Sequence, residues 1–140
     1  MAESSAGGLI NAALVAVPGA SEYYLGGTIV YTRPGRSALL RISKEDTAGI
    51  RSASEPFAQL LARRVRENLG ATWGLAETGA AGPSGNRYGD KPGHACFAVS
   101  GPVEAVVTLE TWSADREANM WAFTRRALEL LEDCLRKAAK

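Results

Sequence analysis

Apolar residues recur at helical spacing in three segments of the chain. Positions three and four residues apart lie on one face of an α-helix, so this spacing predicts helices that bury that face. The first predicted helix spans residues 7–17 and the third spans residues 116–138. The second lies between them, beginning after Ser54 and ending at Gly70. Ser54 suits the N-cap of the second helix, and Gly70 suits its end because glycine readily adopts a left-handed backbone. Asp115 is the predicted N-cap of the last helix.

β-branched and aromatic residues predominate in four other segments, as is typical of strands. These predict strands at residues 25–32, 72–78, 94–100 and 105–112. Pro34 and Gly35 are predicted to end the first of them, and residues 37–42 to form a short helix or turn. Helices and strands therefore alternate along the chain and finish with a hairpin. This pattern predicts an α/β fold, namely a three-layer αβα architecture with a mixed sheet. Residues 1–140 are expected to form one such domain.

A loop rich in Gly and Pro, residues 79–93, follows the second predicted strand, residues 72–78. Fifteen residues is long for a loop in a compact domain, and loops of that length are often functional. Thr78 ends the strand, and Arg87, Tyr88 and Asp90 could close over a ligand. The alternative is an ordinary solvated surface loop.

Composition narrows the class of partner. The formal net charge of +1 gives no electrostatic basis for binding nucleic acid or an anionic membrane, and the sequence has no long apolar run. Cys96 and Cys134 are too few for a disulfide framework, and with no signal peptide recognised we expect a cytoplasmic protein. His94 and Cys96 do not supply enough ligands for a metal site, so no metal is expected.

Polar residues suited to catalysis or binding lie in two segments near the start of the chain. In "ESSAGG", a helix N-terminus beside glycines could bind an anion, or the segment could be a plain N-cap. In "PGASEYYLGGTIVYTRPGR", Ser21 follows a turn, Tyr31 ends a predicted strand and Arg36 lies five residues further on. These could be catalytic, or they could be a turn serine, an interface tyrosine and a surface arginine. Arg116 begins the last predicted helix, where the helix dipole disfavours a cation, and this suggests an anionic partner.

Five motifs in this order resemble the CinA C-terminal domain family: "AESSAGGLI", "VPGASEYYLGG", "VYT", "TGAAGP" and "SADRE". The best-known activity of that family is deamidation of nicotinamide mononucleotide. The resemblance implies an α/β fold and hydrolysis of a carboxamide to a carboxylate and ammonia, without a metal or another cofactor. A small nucleotide or amide substrate is the partner that it implies.

The matching positions imply roles for individual residues. Ser21 resembles the family's serine nucleophile and Tyr31 its catalytic partner. Ser4 and Thr78 resemble the residues around the amide and its oxyanion, and Arg116 the basic residue of the nucleotide pocket. The resemblance implies the following set of substrate-binding residues: Glu3, Ser4, Gly7, Gly8, Thr78, Gly79 and Arg116.

Three positions depart from the family pattern: Arg36, Ser5 and Ala6. Arg36 stands where the family has lysine, and arginine does not lose its proton in proteins, so it cannot act as the base. We therefore expect Arg36 to polarise Tyr31, which would relay the proton of Ser21. Ser5 and Ala6 stand where the family has Cys and Thr, which removes a hydroxyl from the pocket rim at Ala6. These changes leave three alternatives open: an amidase on another substrate, a non-catalytic nucleotide-binding or regulatory protein, and a structural subunit.

The family usually has a helix and a strand before the first motif, which here starts at Ala2. We expect either that the true start lies upstream or that the sheet lacks a strand that a partner chain supplies. Because an unpaired sheet edge favours association, we expect a homodimer or a higher homo-oligomer.

Overall fold

The computed structural model describes residues 1–140, in which five strands form one mixed sheet. The strands are β1 (Ala2–Glu3), β2 (Thr28–Ile29), β3 (Gly74–Ala80), β4 (His94–Ser100) and β5 (Ala105–Glu110). Their order across the sheet is β2-β1-β3-β4-β5. β1 runs parallel to both of its neighbours, whereas β3, β4 and β5 are joined in antiparallel pairs.

Four α-helices accompany the sheet: α1 (Leu9–Val15), α2 (Arg33–Leu40), α3 (Glu55–Leu69) and α4 (Arg116–Ala138). A short 3-10 helix, Ala20–Glu22, follows α1. The predicted caps are confirmed, since Ser54 Oγ accepts a hydrogen bond from the backbone of α3 and Asp115 accepts one from α4. Gly70 ends α3 with φ of 60°. None of the helices combines the length and the apolarity that a membrane span requires.

The helices cover both faces of the sheet, which confirms the three-layer αβα architecture. Ile10 of α1 and Phe123 of α4 pack with Phe97 on one face, where the two phenylalanine rings meet edge to face at 6.2 Å. Phe57 and Leu61 of α3 pack against the other face. Each of these large apolar side chains is almost fully buried, and such burial stabilises the fold by about 1.5–3 kcal/mol per side chain.

The hydrophobic pattern does not predict the short elements correctly. β1 has only two residues, too few to show any alternation, yet it occupies the centre of the parallel part of the sheet. The strand predicted over residues 25–32 shrinks to β2. Pro34 does not end a strand but lies in the first turn of α2, a position where its missing N–H is not needed.

β1, β2 and β3 all end at the same edge of the sheet because they run in the same direction. Ligands of α/β proteins usually bind beyond the carboxyl ends of such strands. Three segments leave the sheet there: the turn from Ser4 to Gly8, the segment from Val30 into α2, and the loop that begins at Ala81. The candidate site is therefore sought at this edge.

Candidate functional site

A cavity of about 320 Å³ opens at the carboxyl ends of the three parallel strands; we call it the site cavity. Six of the residues implied by the sequence line it: Ser4, Tyr31, Arg36, Thr78, Gly79 and Arg116. Ser5 and residues from the segments 52–53 and 80–88 complete the lining. The fold therefore brings together side chains that lie up to 112 positions apart in the chain.

Glu77 holds the turn that forms one wall of the site cavity. Its carboxylate accepts hydrogen bonds from Ser4 N at 3.0 Å and Ala6 N at 2.9 Å, and from the Ser5 hydroxyl. Burial raises the pKa of Glu77, and these three donors oppose that rise only in part. Sequence reasoning missed Glu77, although a lone carboxylate within an otherwise apolar strand is a signal that could have indicated it.

Glu3 occupies the N-terminus of α1, where the sequence allowed for an anionic ligand. Its carboxylate accepts hydrogen bonds from three backbone N–H groups at the start of α1, those of Gly8 at 2.6 Å, Ile10 at 3.2 Å and Asn11 at 2.7 Å. The Asn11 side chain adds a fourth at 2.6 Å. This helix N-terminus therefore does not offer its N–H groups to an external anion, because the Glu3 carboxylate already binds them. Gly8, at φ of 106°, lets the chain turn into the helix.

Tyr31 and Arg116 meet at the rim of the site cavity. The Arg116 guanidinium donates to the Tyr31 hydroxyl at 2.7 Å and to the Gly82 carbonyl at 2.5 Å. This places a cation from the first residue of α4 over the cavity and joins the segment after β2 to the loop after β3. Because the tyrosine oxygen accepts this bond, its own hydrogen remains for another acceptor.

Arg36 does not polarise Tyr31, contrary to the expectation from the sequence. Its guanidinium donates to Ser52 Oγ at 2.7 Å and lies over the Phe57 ring, 4.4 Å from the ring centroid. Arg116 takes the place beside Tyr31 that was expected of Arg36. Burial lowers the pKa of Arg36, Tyr88 opposes this fall, and the neighbouring charge of Arg33 adds to it.

Ser21 lies outside the site cavity of its own chain. It is exposed in the short 3-10 helix that follows the end of α1. Tyr23 and Tyr24, which come next, line an apolar groove with Met1 and Trp73, the residues just before β1 and β3. Ser21 is therefore at the opposite end of the sheet, and one chain does not bring it together with Tyr31.

A chain of hydrogen bonds through Ala53 supports Thr78. Thr78 Oγ1 accepts from Ala53 N at 3.2 Å, and the Ala53 carbonyl accepts from His94 Nε2 at 2.8 Å. The other ring nitrogen of His94 contacts the Glu110 carboxylate. Burial alone lowers the pKa of His94, but acceptors at both ring nitrogens outweigh it and the net pKa is raised. Cys96 faces the same carbonyl at 3.7 Å.

The long loop after β3 is tied down rather than free over the cavity. Asp90 pairs with the Arg51 guanidinium through two contacts, at 2.7 and 3.1 Å, and accepts from Asn86 Nδ2 at 2.7 Å. Of the three loop residues expected to close over a ligand, Tyr88 lines the site cavity. Asp90 instead anchors the loop. The anchoring segment around Ser52 carries no recognisable motif, so the sequence could not indicate it.

Known proteins are similar to this chain in sequence and in fold. Residues 1–135 match the CinA C-terminal domain family. A CinA-like protein of Synechococcus elongatus is 31% identical over 136 residues, which are 97% of this chain and 32% of the relative. A CinA-like protein of Gloeobacter violaceus is 35% identical over 94% of this chain and 31% of its own length. The chain thus spans about a third of these relatives.

Solved structures agree with the family match. A competence-damaged protein (CinA) superfamily protein from Escherichia coli superposes with a TM-score of 0.85 at 27% identity, covering 93% of this chain and 76% of that one. The competence damage-inducible protein A from Klebsiella pneumoniae gives 0.88 at 27% identity, covering 96% and 83%. The ordered motifs, the mixed sheet and these matches all agree. The chain therefore belongs to the CinA C-terminal domain family.

Proposed function

We propose that the protein hydrolyses the carboxamide of nicotinamide mononucleotide, or of a closely related small amide, to the carboxylate and ammonia. One observation carries the proposal: Ser4, Tyr31, Thr78 and Arg116 line a single cavity. Hydroxyl donors beside a cation suit a substrate that has both an amide and an anionic part. Membership of the CinA family supports the proposal, since amide hydrolysis is what the resemblance implies.

Two hydroxyls in the site cavity are suited to stabilise the oxyanion of amide hydrolysis. Thr78 Oγ1 accepts from Ala53 N and Tyr31 accepts from Arg116, so each has its own hydrogen left to donate. The backbone N–H groups of Ser4 and Ala6 are already bonded to Glu77 and are not available for this role. We therefore assign the oxyanion to the two hydroxyls.

The nucleophile in this proposal is a serine. Its attack expels ammonia and leaves an acyl-enzyme, which water then hydrolyses. Ser21 is the nucleophile by resemblance and would have to reach the site cavity of a second copy. Ser5 is the rival within the chain, because it lines the cavity and donates to the buried Glu77 carboxylate.

Ammonia release from nicotinamide mononucleotide and a panel of carboxamides tests the reaction. Replacement of the nucleophile is expected to lower kcat by at least about 10³-fold. We expect this loss in Ser21→Ala, with Ser5→Ala as the matched comparison. Loss in Ser5→Ala alone would transfer the role to Ser5. Thr78→Val is expected to lower kcat by about 10²-fold through the oxyanion. If the wild-type protein releases no ammonia from any amide, the proposal fails.

A non-catalytic nucleotide-binding function is the second candidate, favoured by one observation. Arg36 replaces the family's lysine and is held by Ser52, so no base stands at that position. This candidate predicts that the nucleotide raises Tm while no ammonia is released. Turnover of the same nucleotide would exclude it.

A further inference from the structure

A second cavity, of about 400 Å³, adjoins the site cavity and shares Arg36, Ser52 and Tyr88 with it. It lies between the start of α2 and the segment from Ile42 to Ser52. Three cationic side chains line it, those of Arg33, Arg36 and Lys44, and we call it the basic cavity. Its position makes it a side chamber of the candidate site rather than a separate surface feature.

The three cations of the basic cavity have no counterion in the protein. No Asp or Glu lines the cavity, and none of the three cations lies within 4.0 Å of a carboxylate oxygen. Arg36 Nε is buried and has no hydrogen-bond partner. A buried cationic donor without a partner is destabilising, so it is usually matched by an anion or an acceptor. Ser52 Oγ accepts from one terminal nitrogen of Arg36, but the protein supplies no acceptor for Nε and no anion for the guanidinium.

The placement of Arg33 is also unfavourable without an anion. It is the first residue of α2, where the positive end of the helix dipole repels a cation. Arg36 lies three positions further along the same helix, and like charges at that spacing repel. Burial, with the charge of Arg33 as a further contribution, lowers the pKa of Arg36. An anion between the two guanidinium groups would relieve both sources of repulsion.

Neutral donors complete a set suited to an oxyanion. Ser37, Ser43, Ser52 and Tyr88 bring hydroxyl groups to the lining of the basic cavity, whereas the Thr47 hydroxyl already donates to the Lys44 carbonyl at 3.2 Å. Guanidinium groups bind phosphate through paired N–H donors, ammonium groups add a point charge, and hydroxyls bond the remaining oxygens. A carboxylate ligand would use only part of this set, whereas a phosphate group has enough oxygens for all three kinds of donor.

We propose that the basic cavity is a subsite for a phosphate group, held by Arg33, Arg36 and Lys44. The group could belong to the substrate whose amide occupies the site cavity, or it could be free inorganic phosphate bound alongside. The assignment to a substrate rests on the proposed function, whereas phosphate binding itself does not. Arg116, at the far rim of the site cavity, is not needed for this subsite.

Binding of inorganic phosphate tests the subsite without any turnover. We expect phosphate at ten times its Kd to raise Tm of the wild-type protein by about 5 °C. Arg33→Gln and Lys44→Gln are each expected to weaken phosphate binding at least about tenfold in calorimetry. Arg125→Gln removes one exposed cation from α4, across the sheet, and is expected to bind like the wild type. Equal affinity in all four proteins would overturn the proposal, as would no binding to the wild type.

Kinetics with amide substrates distinguishes the two sources of phosphate. If the substrate's own phosphate occupies the basic cavity, phosphate inhibits competitively, and Arg33→Gln raises KM for the phosphorylated amide but not for its nucleoside. If free phosphate binds alongside, KM does not rise with added phosphate. Both results support the subsite. Phosphate binding without ammonia release would reject the proposed function alone, while ammonia release without phosphate binding would reject the subsite alone.

Discussion

The Glu77 carboxylate connects β3 through three hydrogen bonds to the Ser4–Ala6 turn, whose Ser4 and Ser5 line the site cavity. Glu77→Gln would present an amide N–H₂ to one of these donors. We expect it to lower the free energy of unfolding by about 1.5–3 kcal/mol, the range for hydrogen bonds to a charged group. Urea unfolding measures the loss, with the exposed Glu45→Gln as control. Equal midpoints for the two variants would show that the turn does not depend on Glu77.

His94 makes part of the stability of the protein depend on pH. Its folded-state pKa lies above the unfolded value because Glu110 and the Ala53 carbonyl bond both ring nitrogens, against the opposing effect of burial. The folded state therefore holds this proton more tightly. The stabilisation is complete below the unfolded pKa of about 6.5 and is lost as pH rises through the folded pKa.

We expect His94→Gln to remove this part of the pH dependence. The free energy of unfolding of the wild type should exceed that of the variant most at pH 5, and the difference should shrink as the pH rises through the folded pKa of His94. Urea unfolding at several pH values between 5 and 9 measures it. Parallel pH curves for the two proteins would contradict the raised pKa of His94.

At the scale of elements, Glu3 makes α1 dependent on β1. α1 has seven residues, and isolated helices of that length are not stable in water. Glu3→Gln weakens the bonds to the three N–H groups, and we expect a loss of about 1.5–3 kcal/mol of unfolding free energy. Ser54→Ala, which removes the N-cap of α3, is a matched control with an expected loss of about 1 kcal/mol. If Glu3→Gln changes substrate KM but not stability, Glu3 binds substrate rather than α1.

The elements show what the sequence could and could not predict. α3 and α4 were predicted closely because both combine long helical periodicity with a capping residue, Ser54 or Asp115. β1 and β2 have two residues each and are defined by pairing with distant strands, which no local pattern encodes. In the site, motifs indicated Tyr31 and Arg116 but not the bond between them.

For the whole molecule, the position of Ser21 makes association a testable part of the mechanism. We expect a homodimer in which Ser21 of one chain serves the cavity that contains Tyr31 of the other. Inactive Ser21→Ala and inactive Tyr31→Phe proteins, unfolded and refolded together, would then give mixed dimers with one intact site. Activity should return to about a quarter of the wild-type value.

Light scattering on the same samples measures the oligomeric state. Each variant refolded alone is the control and should remain inactive. If the mixture regains no activity while mixed dimers form, Ser21 and Tyr31 do not act together across chains. In that case Ser5, within the chain, becomes the leading nucleophile.

The bonds between Glu77 and the Ser4–Ala6 turn also bear on folding order. They join groups 71 to 73 positions apart, so the chain must close a long loop before they can form. α3 and α4 need only local contacts and can form earlier. We therefore expect the wall of the site cavity to be completed only after β3 has docked. A nascent chain would gain its ligand site only when most of the domain has been synthesised.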